Sequence, residues 1–492
     1  MEKRARALIA ARQRVLFVFL INLTCDSMLK VYNTLHKTKE EFKSIEDKKI
    51  GMYVCGPTVY GPGHIGHART YVAFDIIRRY LEYRDYTVKY VVNITDIHDD
   101  MIKKSAELGI TIFELANKNI ELFMQDLDTL GIKKADVYPR VTEHIKEIVD
   151  FVKDLEDKGF AYETDDGVYY DISKFKDYGK LSGIKVKEQK TGTRVETDKY
   201  EKDKAQDFAL WKKQKDPSEP AWDSPWGKGR PGWHIECSVM SSKHLGEQID
   251  IHGGAVDLIF PHHENEIAQS EARSGKVPFV KYWMHSGFLN VEGQKMSKSL
   301  GNFIEIPDLL KKHDARAFRF FVSGLHYKSR IDFSEKAMEK VDKTLEKWDL
   351  FIERLLEWKG ENENEAVGKL VGETREKVVG ALDDDFMLPN ACAALQQMQT
   401  EVNRLIEKNE FGKKNAEEVL SLLKEFNEFL KVFEFEKKTG ELTPEQEKLM
   451  GKRKQARKDK DWGKADEIRD KLAEQGVIID DTPQGTKWRI AK

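Results

Sequence analysis

Cysteine is scarce: four residues in a chain of 492 are too few for a disulfide framework. So low a count points to a reducing compartment, where a cysteine serves as a ligand, a reactive thiol or core filler. Long apolar runs are missing too. No stretch of eighteen or more apolar residues occurs, so the sequence offers no transmembrane helix. An excess of one charge is also lacking: 82 Lys+Arg stand against 85 Asp+Glu, a net charge of −3. Charge alone therefore announces no nucleic-acid partner, and any such surface has to be local. There is no internal repeat and no low-complexity segment. With 40% apolar and 34% charged residues the chain is not a disordered one. Its length suits roughly three or four domains of ~100–200 residues each.

The first 27 residues stand apart. A basic stretch, a short apolar run and Thr24-Cys25-Asp26-Ser27 give the outline of a presequence or of an upstream start, and coherent domain sequence begins at Met28. From Ile50 a strand runs into a Gly/Pro loop. A helix follows, with Val72, Ala73, Ile76, Ile77, Tyr80 and Leu81 on one face, then the β-rich TVKYVVNITD and the helical DDMIKKSAELGI. Strand–helix–strand at this spacing predicts a doubly wound, parallel α/β sheet of the Rossmann-like kind, with ligands at the carboxyl ends of its strands. Residues 145–235 break the rhythm and read as an insertion. The α/β pattern then returns, and beyond about residue 305 the chain is almost purely helical, a bundle with solvated charged faces. A small C-terminal domain closes the chain: residues 452–471 hold nine Lys/Arg against five Asp/Glu, and the end reads as a strand pair.

Two loops carry phosphate chemistry. His64-Ile65-Gly66-His67 lies between a strand and a helix, where glycine admits close approach and a helix N-terminus favours an anion. Two imidazoles one turn apart can donate to phosphate oxygens as charge builds. Lys295-Met296-Ser297-Lys298-Ser299 brings two ammonium groups on long stems, suited to following a phosphate that moves. Each loop alone reads equally well as a solvated turn. Together, at the two ends of one sheet, they predict one nucleotide held between two half-domains.

A third cluster has metal-ligating chemistry. His262 and Glu266 stand at i and i+4 where PHHENE starts a helix. Cys55 closes a strand just before the histidine loop, and Cys237 lies in Trp233-His234-Ile235-Glu236-Cys237. Thiolate, imidazole and carboxylate are zinc donors. His263, His234 and Glu236 compete locally for the same role, and either cysteine alone reads as core. Cys392 reads as core, and Cys25 fits no cluster.

MYVCGPTVYGPGHIGHART, NITDI, GRPGWHIECS, DIHGG, FPHHENEIAQ, YWMHSG and KMSKSLGN together resemble the cysteinyl-tRNA synthetases, and the likeness extends from Met28 through PQGTKWR. The resemblance implies a ligase that activates L-cysteine with ATP to cysteinyl-adenylate, releases pyrophosphate, and passes cysteine to the 3′ end of tRNA(Cys). It implies His64, Gly66 and His67 on ATP, Lys298 with Lys295 on the departing pyrophosphate, and Trp233 walling the substrate pocket. It also implies one Zn²⁺ per chain on Cys55, Cys237, His262 and Glu266, with Mg²⁺ arriving on ATP. A shape-based pocket separates cysteine from serine poorly, whereas bound zinc deprotonates a thiol far more readily than an alkanol. A structural zinc with all four positions closed is the alternative. The domains implied are an extension (1–27), the first catalytic half (28–144), the connective insertion (145–235), the second half (236–290), the KMSKS and stem-contact region (291–345), a tRNA-binding helical bundle (346–441) and an anticodon-recognition domain (442–492), where Trp488 and Arg489 would grip the stem-loop. A cytoplasmic monomer with no membrane partner is expected, organellar if residues 1–27 are a presequence. Two other readings use the same residues: a ligase handing cysteine to a small amine, which residues 345–492 argue against, and a non-catalytic zinc-stabilised binding protein, which intact Lys295 and Lys298 argue against.

Overall fold

The computed structural model describes residues 28–184, 194–195, 206–296, 300–436, 442–482 and 485–490. The extension 1–27, with Cys25, and Lys298 of the second loop lie outside the described residues. The chain forms two compact units, one ending at Phe433 and the other starting at Glu434.

At the centre of the first unit is a four-stranded, all-parallel sheet: β1 (Lys49–Val54), β2 (Thr87–Val92), β3 (Ile249–Ala255) and β4 (Val280–Ser286). Its spatial order is β4-β3-β1-β2, with Met52 in register with both Tyr90 and Ile251. Both faces are covered toward the carboxyl ends, where the strands are buried without a break over Met52–Val54, Tyr90–Val92, Ile249–Gly254 and Tyr282–Ser286. Helix α1 (Ile65–Tyr83) crosses from β1 to β2. The helical face expected from the sequence is its core face: Val72, Ala73, Ile76, Ile77, Tyr80 and Leu81 are at most 2% exposed. Each large apolar side chain so buried contributes about 1.5–3 kcal/mol. At the carboxyl edge the ends of β1 and β2 touch: a Cβ on Gly56 would lie 1.5 Å from the Asn93 carbonyl, so only glycine fits.

The insertion is a separate, mostly antiparallel sheet, in which Gly167–Tyr170 pairs with Asp207–Lys213. It separates the β1–β2 half from the β3–β4 half, as expected. Helix α2 (Trp233–Leu245) leads into β3 and helix α3 (Glu264–Ser274) connects β3 to β4. Beyond residue 305 the first unit is helical, apart from the short strand Ile331–Phe333. Buried polar pairs tie this part to α1: Asp75 to Arg319 at 2.8 Å and the Tyr80 hydroxyl to Asp383 at 2.7 Å. Cys392 lies among these helices, where burial pushes its thiol up to about 12.

In the second unit, helices Pro444–Lys458 and Trp462–Glu474 precede the antiparallel pair Val477–Thr482 and Gly485–Ile490. Ile468, Leu472 and Val477 form its core. Trp488 and Arg489 fall on the last strand opposite Ile479 and Ile478; their side chains lie outside the described set. No helix among the described residues is long and apolar enough to cross a membrane.

Candidate active site and metal centre

The carboxyl edge of the sheet gathers the expected metal donors. Cys55 follows β1 directly, Cys237 lies on the second turn of α2, and His262 and Glu266 come from the entry and first turn of α3. Cys55, His262, His263 and Glu266 offer donor atoms that all lie within 4.8 Å of one another. Cys237 flanks them, its sulfur 3.9 Å from that of Cys55 and hydrogen-bonded to His262. The i,i+4 pair meets as the spacing predicts, with His262 Nε2 3.1 Å from Glu266 Oε1. The sequence places the helix start at Pro261, but regular helix begins only at Glu264. Residues 259–263 form an irregular turn with Phe260 extended, and His262 is presented from that turn.

The charges offset one another in part. Burial works against a thiolate at Cys237, but its hydrogen bond from Cys55 and the charge of His262 prevail and bring it down to about 6. Burial, then Cys237, pushes the Cys55 thiol well up. Burial resists a cation at His262, yet the charges of Cys237 and Glu266 raise it to about 10. Glu266, despite burial, is held at about 2 by His252 and His262. The pocket thus sets a buried thiolate and carboxylate against one imidazolium proton and is left one negative charge in excess. A cation bound there takes the place of that proton, and two sulfurs, one nitrogen and one oxygen are a donor set that fits zinc.

Around the donors stand further histidines: His263 and His234, competitors for the metal in the sequence, and His252 and His285, which lie in the DIHGG and YWMHSG segments but had no role assigned there. His252 Nε2 is 2.9 Å from Glu266 Oε2, His263 Nδ1 is 2.8 Å from His285 Nε2, and His285 Nδ1 reaches the Thr34 hydroxyl at 2.8 Å. His263 Nε2 is 3.3 Å from the Cys55 sulfur, and His234 Nδ1 is 3.0 Å from His262 Nδ1. Such partners fix the tautomer and aim of a ligand. The available signal was position: His252 and His285 sit on parallel strands near the edge where such sheets bind ligands. Glu236, a competitor in sequence, instead accepts from the Thr95 hydroxyl at 3.0 Å. Half-buried Trp233 lies over His262, ring centroids 4.4 Å apart.

The phosphate loops meet at the start of α1. His64 caps the helix, its Nδ1 accepting from the amides of Gly66 (3.1 Å) and His67 (3.4 Å). The Ile65 amide donates to the Ile304 carbonyl. An amide can only donate, so His64 Nδ1 carries no proton and the ring's own N–H is at Nε2. This alters the sequence expectation: the first-turn amides are engaged within the fold, and the groups offered to phosphate are imidazole N–H donors. Burial holds His67 at about 4, against an opposing pull from Asp257, so this ring is neutral near pH 7. The two rings stack 3.7 Å apart. Gly66 leaves room for the His64 ring, since a Cβ there would lie 2.9 Å from it and push it aside. The second loop docks on the first: Glu305 bridges to His64, the Ile306 amide donates to the Gly63 carbonyl, and the Met296 methyl lies 3.5 Å from where that Cβ would be. Lys295 reaches over the Phe288 ring at 5.1 Å.

Comparison with known proteins agrees with this geometry. Residues 41–343 match the family model described as tRNA synthetases class I (C) catalytic domain, 377–434 a DALR domain, and 439–489 a cysteinyl-tRNA ligase anticodon binding domain. Cysteine–tRNA ligase of Thermococcus onnurineus is 49% identical over 473 residues, covering 94% of this chain and 99% of its own. That of Lactobacillus gasseri is 46% identical over 473 residues, covering 94% and 100%. Among solved structures, Mycobacterium tuberculosis methionyl-tRNA synthetase in complex with methionyl-adenylate superposes with a TM-score of 0.58 at 14% identity, covering 78% of this chain and 90% of its own, a likeness of fold. On the catalytic and anticodon-domain matches and this identity over nearly the whole length, the chain belongs to the cysteine–tRNA ligases, class I aminoacyl-tRNA synthetases.

Proposed function

We propose that this enzyme joins L-cysteine to tRNA(Cys) through cysteinyl-adenylate, and that it selects cysteine by its sulfur at a zinc ion. The observation that carries this reading is the buried donor set at the sheet edge, with its excess of negative charge and Trp233 across it. Cys55, Cys237, His262 and Glu266 would hold the ion; His263, kept neutral by burial among other histidines, backs Cys55. When bound, zinc supplies a soft Lewis acid that favours a thiolate ligand over a hydroxyl. Trp233 closes one wall, which orients the substrate and sheds water.

No covalent nucleophile is needed, because the cysteine carboxylate itself attacks the α-phosphate of ATP, which brings its own Mg²⁺. His64 and His67 donate to the phosphate oxygens, and Lys295 with Lys298 accompanies the departing pyrophosphate. Gly66 keeps the first ring in place. On the second unit, Trp462 is 58% exposed with the Arg457 guanidinium 5.8 Å from its ring centroid, a stacking surface suited to splayed anticodon bases. Free thiols at Cys55 and Cys237 fit the reduced cytoplasm, and we take the enzyme to act as a monomer.

The test is transfer of labelled cysteine to total tRNA with ATP, zinc-replete protein and excess serine. Charging that ignores serine is expected. Cysteine-dependent pyrophosphate exchange without charging would point instead to a small-amine acceptor, and silence in both assays would overturn the proposal.

A further inference from the structure

The helix that carries the metal donors does not position itself. Helix α3 starts without a side-chain cap, and the chain enters it through the irregular turn that holds His262 and His263. The turn takes up the Glu264 amide, at the Ile259 and Pro261 carbonyls, and side-chain contacts from outside the helix supply the rest of its direction.

Those contacts come from the insertion. Glu264 is fully buried, and its carboxylate accepts three backbone amides: Gly179 to Oε1 at 2.9 Å, and Leu181 and Ser182 to Oε2 at 3.1 and 2.7 Å. The next residue, buried Asn265, accepts from the Tyr178 hydroxyl. A turn further on, the Tyr170 hydroxyl donates to the Ala268 carbonyl at 3.0 Å, and Lys180 pairs with Glu271. All of these partners lie within residues 170–182, more than eighty positions earlier in the chain. Glu264 is two residues before Glu266 in the same helix, so it leaves roughly opposite to that donor and can fix its aim without touching the metal, while His262 stands in the irregular turn immediately before it. A carboxylate meeting several amides in a dry site has a defined direction, and its loss strands three buried donors.

We infer that Glu264, assisted by Asn265, is a positioning residue through which the insertion's 178–182 turn sets the aim of His262 and Glu266, and with it metal affinity and the preference for thiol over hydroxyl. This rests on the function proposed above. In the full-length enzyme, Glu264→Ala should weaken zinc affinity, read by chelator competition, by about 10–100-fold. It should shift the visible spectrum of the cobalt-substituted protein and lower the cysteine-to-serine ratio of kcat/KM, while the KM for ATP stays put. Glu264→Gln, which retains one acceptor oxygen but turns an NH₂ toward an amide, should fall between wild type and Glu264→Ala. Tyr178→Phe should weaken zinc binding less than either, and less than additively when combined with Glu264→Gln, since both act on one turn.

A merely structural residue would instead impair the ATP and cysteine parameters together and leave the cobalt spectrum of the folded fraction unchanged. Wild-type zinc affinity and cobalt spectrum in folded Glu264→Ala would overturn the inference. If that variant does not fold, wild-type affinity in both Glu264→Gln and Tyr178→Phe would do the same. The functional reading fails separately, if the wild type makes no cysteinyl-adenylate. The anchor can still be read then in metal-free protein: Glu264→Gln should speed hydrogen exchange at the amides of Gly179, Leu181 and Ser182, and unchanged protection would contradict it.

Discussion

The metal pocket and the phosphate loops lie at the same sheet edge but are built in opposite ways. Cys55, Cys237, His262 and Glu266 are buried, come from the ends of three elements, and are backed by a layer of histidines. His64 and His67 are only half-buried, Lys295 is exposed, and the amides of the helix start are already committed to the fold. On the proposed function the difference follows from two tasks. Telling sulfur from oxygen needs a fixed set of donors held in place before substrate arrives. Handling a reacting triphosphate needs N–H and ammonium groups that meet charge as it develops and release the product.

Substitutions should separate the two halves. Glu266→Ala removes one of the four proposed donors and the carboxylate that faces His252 and His262, so zinc content and cysteine-dependent pyrophosphate exchange should fall by more than the roughly 100-fold typical of outer partners. ATP binding, read by fluorescent-nucleotide displacement, should be retained. His64→Ala should do the reverse: full zinc content, with exchange kcat down about 10²–10³-fold, the usual cost of one positioned donor. If zinc content falls as well, the two halves are not independent. Gly66→Ala forces the His64 ring aside, and its kcat loss should stay below the roughly 100-fold of an ångström's misplacement, with zinc again untouched.

The smallest effect is on stability in acid. Burial holds His67 at about 4 and His285 at about 3, against 6.5 for an ordinary histidine. The unfolded chain therefore binds these protons first. Their contribution to stability is complete above pH 6.5 and is lost as pH falls through 4 toward 3. Urea midpoints of metal-free protein should drop across that window, and a flat profile would show that these rings are not held neutral.

Much of this was legible in the sequence because it rests on short-range regularity. The 3.6-residue period of α1 marked its buried face, strand–helix–strand spacing marked the parallel sheet, and i,i+4 spacing brought His262 to Glu266. What was not legible depends on long-range approach. His252 and His285 sit in strands buried on both faces, so no alternation distinguishes a functional side chain from core. The capping of α1 by His64 uses up amides that a motif alone suggests are open to phosphate. The hold of Glu264 on residues 179–182 joins segments more than eighty residues apart and leaves no periodic trace. Helical period did anticipate a start at Pro261, but the irregular turn at Phe260 delays regular helix to Glu264 without parting the His262–Glu266 pair.

The central claim is that substrate sulfur is read at a metal held by Cys55, Cys237, His262 and Glu266. The most direct measurement is the visible and near-ultraviolet spectrum of cobalt-substituted enzyme titrated with cysteine and then with serine. The account predicts that cysteine adds sulfur-to-cobalt charge-transfer absorption and that serine at the same concentration leaves the spectrum unchanged. A spectrum indifferent to cysteine, in protein that still forms cysteinyl-adenylate, would contradict it.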